Sequence, residues 1–391
     1  MSRLIYMDNA ATTQVRPEVV ESMIPYFTDN YANPSSIYNF AQKTKNAVED
    51  ARTVIADMLG ADKPNEIYFT AGGSESDNWA LKAAAEKFKD KGNHIITTKI
   101  EHHAILNTCK WLEKHGYEVT YLDVDDKGLV NVDEFSAAIK DTTIIASVMF
   151  ANNEIGTIEP INELGAIAHS KGVIFHTDAV QAFAHVPINV KDMNIDMLSA
   201  SGHKFHGPKG IGFLYLSNKV KIDSLIHGGS QERSRRAGTL NVPGIIGMAK
   251  AAELANASMS TDMEHVSEMR DYIIDRISST IPYAVLNGDK DKRLPGNIHF
   301  SFRGVSAEPL LIMLDQKGIC VSAGSACASG SIDPSHVLLA IGVPRDIAGS
   351  SIRMTIGEDM TKEDADYVVD ELKAVVERLR SMSPDWAAFR Q

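Results

Sequence analysis

Cysteine is scarce in this sequence: three residues in 391, Cys109, Cys320 and Cys327, an odd number without Cys-x-x-Cys spacing. Neither a disulfide framework nor a four-thiolate zinc site can be assembled from them within one chain, so each thiol needs its own explanation. Basic residues are outnumbered, 39 Lys and Arg against 51 Asp and Glu, which leaves a formal charge of −12. A surface this acidic repels polyphosphate unless basic side chains gather locally, so direct nucleic-acid binding is not expected. No apolar run approaches the length that crosses a bilayer, and the opening MSRLIYMDNAATT lacks the apolar stretch of a secretion signal. The expectation is a soluble, cytoplasmic protein with no membrane attachment. Low-complexity linkers, solenoid repeats and the GxGxxG and GxxxxGK(S/T) phosphate loops are also missing, and a nicotinamide dehydrogenase loses its fingerprint with them.

What is present is core material: 44% hydrophobic and 23% charged residues suffice for one large core or two ordinary ones. From about residue 15 to 250, short β-rich apolar runs alternate with helical patterns, which predicts parallel strands joined by helical crossovers. The candidate strands are 66–70, 94–98, 143–149, 173–176, 196–200 and 211–216. Several are apolar at successive positions, as strands covered on both faces must be. After about residue 255 the pattern becomes a long helix to Ile281, a strand near 297–302, a helix after Ser306, and short strands around 319–321 and 352–356. That predicts a smaller α+β domain at residues 256–391, joined by residues 1–14, beside a large domain at 15–255. A last helix starting at Thr361 carries Val368, Leu372, Val375, Val376 and Leu379 on one stripe and reads as packing.

Three segments carry chemistry. In Tyr68-Phe-Thr-Ala-Gly72-Gly73-Ser74-Glu-Ser-Asp-Asn78 an apolar strand runs through two glycines into a helix, whose free N–H groups suit an anion such as phosphate. An ordinary capped helix is an equally good explanation of this segment alone. Asp178 ends the apolar run from Val173, where open α/β sheets hold ligands, and a protonated heterocyclic nitrogen would suit it as partner; a helix N-cap is the bland alternative. Gln181 follows three residues later. Lys204, in Ser201-Gly-His203-Lys204, ends another apolar run, where a partly desolvated amine suits a Schiff base. Together an anion cradle, an acid and an amine are what pyridoxal phosphate requires.

At this point the chain resembles the cysteine desulfurases, pyridoxal-phosphate enzymes of the aminotransferase-like fold type I, over nearly its full length. The matching stretches include Tyr6-Met-Asp-Asn-Ala-Ala-Thr-Thr, Asn33-Pro-Ser-Ser, Gly72-Gly-Ser-Glu-Ser-Asp-Asn, Glu101-His102, Asn152-Asn153-Glu154-Ile-Gly, Thr177-Asp-Ala-Val-Gln, Ser201-Gly-His-Lys204, Arg236-Ala-Gly-Thr239, Gly324-Ser-Ala-Cys327 and Ser350-Ser-Ile-Arg353. The resemblance implies an α/β fold, a large domain with a mostly parallel sheet between helices plus a smaller α+β C-terminal domain. It makes Lys204 the amine bonded to the cofactor, Asp178 the partner of the pyridinium nitrogen and Gln181 a contact of the ring hydroxyl. Gly73, Ser74, Ser201 and His203 would hold the phosphate, with Thr239 reaching it from the other subunit of a homodimer. His102 would stack on the ring and move protons, though the sequence does not choose between it and His103. Asn153 is expected to bind the cofactor and, with Arg353, the substrate carboxylate, where a guanidinium makes a bidentate pair; a structural salt bridge is the alternative for Arg353.

The three thiols separate by their surroundings. Cys109, among Ile105, Leu106 and Leu112, and Cys320, between Ile319 and Val321, look like buried small hydrophobes. From Gly324 to Ser331 nearly every neighbour of Cys327 is Gly, Ala or Ser, so that segment buries little and is expected to be mobile and open to solvent. Cys327 is therefore the expected nucleophile, aided by His102 because an ordinary thiol is only slightly ionised at neutral pH. The expected reaction takes the α-proton of L-cysteine with Lys204, moves the substrate sulfur to Cys327 as a persulfide, and releases L-alanine. The 26-residue step from Cys327 to Arg353 resembles the longer-loop desulfurases, which pass sulfur directly to a scaffold. An iron–sulfur scaffold or another sulfur acceptor is thus the implied partner, and a passing contact of Cys327 with an iron–sulfur cluster the only metal contact. A selenocysteine lyase or another pyridoxal-phosphate enzyme of the same fold is the alternative. The basic run Arg233, Arg235, Arg236 reads as a solvated loop, with docking of an acidic partner as the other possibility.

Overall fold

The computed structural model describes residues 3–323, 334–384 and 386; Cys327 and the segment expected to be mobile lie outside the described residues. Twelve strands are described among them. In chain order they are β1 (Ile5–Tyr6), β2 (Ile67–Thr70), β3 (His94–Thr98), β4 (Glu118–Leu122), β5 (Thr143–Ser147), β6 (Ile174–Asp178), β7 (Met197–Ser201), β8 (Gly212–Leu216), β9 (Ala284–Leu286), β10 (Asn297–Phe302), β11 (Ile319–Cys320) and β12 (Ser351–Thr355).

Seven of these form one sheet in the order β2-β8-β7-β6-β5-β3-β4. Strands β7, β6, β5, β3 and β4 run parallel, whereas β8 is antiparallel to both β7 and β2. The strongly apolar runs become strands buried along their whole length, β2, β3, β5, β7 and β8 among them. Helix layers cover both faces. Helix Gly73–Lys87 puts Trp79, Ala80 and Ala84 on one face with Ile95, Ile105 and Cys109. On the other, Val48, Ile55 and Leu59 of helix Asn39–Leu59 pack with Ile245 and Met248 around Phe69, Phe175 and Phe213.

The second sheet, β12-β10-β9, is antiparallel, and its Ile298, Phe300 and Ile352 form a separate core with Val368, Leu372 and Val376 of helix Lys362–Met382. Thr361 caps that helix as its sequence suggests, accepting the Asp364 N–H. The change of pattern near residue 255 falls within one unbroken helix, Val242–Thr280. Its first turns pack Ile245, Met248 and Ala252 into the large core, while Val266, Met269 and Ile273 belong to the small one. The N-terminal segment also ties the two together: β1 pairs with β11, Asp8 bridges Thr355, and Thr13 N–H reaches the His203 carbonyl.

Candidate active site

Side chains alternate along a strand, so residues two apart share a face. Asp178 and His176 on β6 therefore point the same way, and so do Ser199 and Ser201 on β7, with Asp178 registered against Ser199. The strands stop together at their carboxyl ends, and β7 runs straight into a short 3-10 turn, Gly202–Lys204. This turn is held from behind: the Lys204 carbonyl accepts from His185 Nε2 at 2.9 Å. Lys204 Nζ donates to the carbonyls of Ala10 and Ala11, at 2.5 and 3.0 Å.

Across the opening, helix Gly73–Lys87 begins without a side-chain cap, so its first N–H groups are aimed out of the helix. Close approach here requires glycine: a Cβ on Gly73 would stand 2.5 Å from Val180 Cγ2, and one on Gly212 would meet Ala200 O at 2.5 Å and Gly72 Cα at 2.7 Å. Ser74, Ser201 and His203 surround this helix start. A cavity of about 250 Å³ joins them, lined by Gly73, Ser74, His102, Asn153, Asp178, Gln181, Ser201, His203, Lys204 and Arg353. Nine residues named from five separate motifs, and Arg353 from the small sheet, thus meet at one opening.

His102 caps helix His103–Glu113, its Nδ1 accepting the Ala104 N–H at 3.1 Å, so in the neutral ring Nε2 carries the proton. The choice between neighbouring histidines is resolved by placement: His102 lines the cavity, and His103 instead packs edge-on to His336 with ring centroids 4.8 Å apart. Arg353 is 1% exposed. It donates through Nη1 to the Asn153 carbonyl and through Nη2 to Asp8 Oδ1, both at 2.9 Å, while Nε has no hydrogen-bond partner among the described residues. It is at once a buried salt bridge and a wall of the cavity. Gln181 Nε2 donates to the Ala10 carbonyl at 3.0 Å, leaving its amide oxygen as the available acceptor.

Burial and charge set the protonation of the site. Burial raises the Asp178 carboxyl above its usual range, and His102, the Val180 N–H and Lys204 pull it back down. Burial lowers His102, with Lys204 adding to the effect and Asp178 opposing it. His203 falls to about 4, through burial and then the charges of Lys204 and Lys209. The histidines of the cavity are therefore neutral near pH 7.

Thr239 is exposed and does not line this cavity, while Cys327 lies outside the described residues. Cys109 is fully buried, and burial pushes its thiol far up; Cys320, expected buried, is half-buried because β1 leaves one side of its short strand open. The arginines of the basic run make contacts within the chain. Arg236 pairs with Glu75, Arg235 donates to the Ile222 carbonyl, and Arg233 donates to Asn65 and Ile67 and lies over Tyr68. Sequence reasoning missed the Ala10 and Ala11 carbonyls, which no side-chain motif can reveal, and Asp8 and Asp77, which stand inside recognised motifs as unassigned acids.

The chemistry of this donor set fits pyridoxal phosphate: an uncapped helix start for its phosphate, a strand-end carboxylate for its ring nitrogen and a lysine for its aldehyde. Fold and site together define a pyridoxal-phosphate enzyme of the aminotransferase-like class. Residues 5–368 match the family described as aminotransferase class-V, and the chain belongs to it. It is 56% identical to a cysteine desulfurase IscS of Clostridium botulinum over 100% of this chain and 98% of that one. A cysteine desulfurase IscS of Methanosarcina thermophila is 55% identical over 98% of this chain and 94% of its own. Among solved structures, a NifS-like protein matches with a TM-score of 0.90 at 37% identity, covering 96% of this chain and 100% of its own. Another, called SspA in complex with cysteine, matches at 0.81 and 38% identity, covering 91% and 99%.

Proposed function

We propose that this chain is a cysteine desulfurase, converting L-cysteine to L-alanine and leaving the sulfur on Cys327 as a persulfide. The observation that carries the reading is the meeting of Lys204, Asp178 and Arg353 at one cavity, an amine, an acid and a carboxylate receptor drawn from both sheets.

Gly73 and Ser74 at the helix start, with Ser201 and His203, would hold the cofactor phosphate, Asp178 the ring nitrogen, Gln181 the ring hydroxyl, and Lys204 the aldehyde carbon. Bound there, pyridoxal phosphate supplies an electron sink for the substrate α-carbon. The remaining work belongs to the chain. Arg353 binds the substrate carboxylate, and its clamping by Asp8 and the Asn153 carbonyl fixes the plane of the guanidinium beforehand. Lys204 Nζ stands as the base for the α-proton. Neutral His102, with its proton on Nε2, is held over the cavity by the Ala104 N–H and serves as proton carrier. The Cys327 thiolate then forms a bond to the substrate sulfur as the carbon–sulfur bond breaks. That electron pair stays with the carbon skeleton, which takes up a proton and leaves as alanine.

A homodimer completes the proposal. Large apolar side chains cluster at residues 20–40 on the surface, with Phe27, Tyr31 and Ile37 exposed at 63%, 68% and 95%. A subunit interface there would cover them, and Thr239 could then serve a partner's phosphate. The acceptor is a protein that takes a persulfide sulfur, for iron–sulfur assembly or thiolation. The need for reduced thiols favours the cytoplasm.

The test is incubation with sulfur-labelled L-cysteine, followed by mass spectrometry of alanine and of the cysteine peptides. Label on the Cys327 peptide in step with alanine is expected, as is loss of the adduct in Cys327→Ala with the cofactor absorbance retained. Label on the Cys109 or Cys320 peptide, or sulfur release by Cys327→Ala, overturns the assignment.

A further inference from the structure

The floor of the cavity holds a second acid that the reaction above does not use. Asp77 lies on helix Gly73–Lys87, one turn past the phosphate cradle, and lines the same cavity as Asp178. It is 1% exposed, and its Oδ1 has no hydrogen-bond partner among the described residues. The nearest base, His176 Nε2, is 3.8 Å away and already engaged by Ser199 Oγ at 3.0 Å, while His176 Nδ1 is engaged by Ser147 Oγ at 2.8 Å.

We propose that Asp77 is a positioning residue of this site, an uncharged carboxyl behind Asp178 that leaves the negative charge of the floor on Asp178 alone.

The groups that face Asp77 are those of β6, β7 and the segment after β3. His176 is buried and neutral, Ser199 supplies a hydroxyl, and Asp178 and Glu101 are acids; no cation is among them. Two neighbouring carboxyls in a dry site cannot both ionise, and one must keep the proton. Asp178 has the claim to the charge, because it receives the Val180 N–H at 2.9 Å and faces Lys204 and His102. Burial and the field of Asp178 together hold Asp77 well above the ordinary carboxyl range. A protonated Asp77 is a donor within reach of Ser199 and keeps the His176–Ser199 row packed behind Asp178. The inference rests on the cavity holding pyridoxal phosphate, and the apoprotein tests it without the cofactor.

The experiment compares Asp77→Asn, Asp77→Ala and wild type as full-length proteins. In the apoprotein, a carboxyl whose folded pKa is raised loses stability as pH climbs from the ordinary carboxyl range toward the raised value, because the unfolded chain then binds fewer protons. Asp77→Asn removes that penalty, so its thermal midpoint should gain on wild type as pH rises. In the holoenzyme, Asp77→Asn should keep the cofactor dissociation constant within about twofold and the pH midpoint of the visible band unchanged, while Asp77→Ala weakens binding by about tenfold and moves the midpoint. Restoration by the amide separates positioning by an uncharged group from bulk packing. Two outcomes overturn the proposal: Asp77→Asn as damaging as Asp77→Ala, which would make the residue a charge, or Asp77→Ala identical to wild type. If wild type itself takes up no cofactor, the reading of the cavity fails, and the apoprotein comparison still judges Asp77.

Discussion

Two buried carboxyl groups, Glu232 and Asp178, are exposed at 5% and 6% and lie beside the same sheet, yet the chain treats them in opposite ways. Glu232 is saturated. Arg52, itself 1% exposed, donates to both its oxygens at 2.7 and 2.8 Å, and the Phe69 N–H adds a third bond at 2.9 Å. The ion pair pins a loop in which Glu232, Arg233 and Ser234 all adopt left-handed backbone conformations, an arrangement that costs about 1–3 kcal/mol per residue and persists only when overdetermined. Among the described residues Asp178 is left with one backbone donor and an open cavity in front of it. A carboxylate whose partners are all supplied by the fold serves the fold. One left short of partners at a strand end is where a cationic ligand group belongs.

Substitution by the isosteric amide breaks this comparison from both ends. Asp178→Asn should lower desulfurase turnover by about 10²-fold or more, since the ring nitrogen loses its charged partner. It should leave apoprotein stability unchanged or raised at alkaline pH, where the buried, up-shifted carboxyl is a burden. A drop in both turnover and apoprotein stability would show that Asp178 is structural after all. Glu232→Gln should do the reverse. Arg52 would be left with the half-exposed Glu49, 3.2 Å from its Nε, in place of its buried partner; breaking a buried pair costs about 3–5 kcal/mol, so a loss toward the lower end of that range is expected, read as the urea midpoint of the full chain. Replacing both residues, Arg52→Met with Glu232→Leu, should recover much of that loss; failure to recover would mean that the loop depends on the charges themselves.

The contrast also explains how much of the molecule was legible in its sequence. The strands at 94–98 and 297–302 stand where the apolar runs place them, because burial on both faces leaves an uninterrupted signature. Strand β4 was missed, since Glu118–Leu122 is an edge strand with mixed polarity and no buried face until Leu122. Strands β1 and β9 are too short for any period, and β11, equally short, is readable only through the apolar Ile319 and Val321 that flank Cys320. In the cavity, Lys204, Asp178 and the Gly72-Gly73-Ser74 turn were readable because each sits on a local boundary between strand and turn. Arg353 needed the resemblance, because a guanidinium on a strand of the small sheet becomes a cavity wall only through the approach of the two sheets. Backbone acceptors such as Ala10 and Ala11 leave no trace in residue types, and Glu232 gave no hint that it is buried, because its cation lies 180 positions away.

Glu358 offers the smallest and subtlest test of the comparison, a carboxylate that is paired like Glu232 but wet, its side chain 34% exposed. It bridges the segment after β12 to Arg16 and to His206, whose Nε2 lies 3.4 Å from Oε2, and His206 follows Lys204 by two residues. Burial is the largest single influence on His206 and lowers it, but the hydrogen bond to Glu358, the Glu358 charge and the Gln14 carbonyl together raise it; Glu358 is lowered, chiefly by its bond to His206. The signs fix a window. The His206 contribution is fully present below the ordinary imidazole value and is lost as pH rises through the raised one. The Glu358 contribution is present above the ordinary carboxyl value and is lost as pH falls through the depressed one. The contact is therefore strongest between about pH 4.5 and 6.5, the ordinary values of the two groups. Solvent screening keeps its worth to about 1 kcal/mol or less. Glu358→Gln should lower the urea midpoint of the full chain more at about pH 5.5 than at about pH 8.5, where only the Arg16 pair remains to be lost. An equal loss at both values would remove His206 from the contact and leave Glu358 as a partner of Arg16 alone.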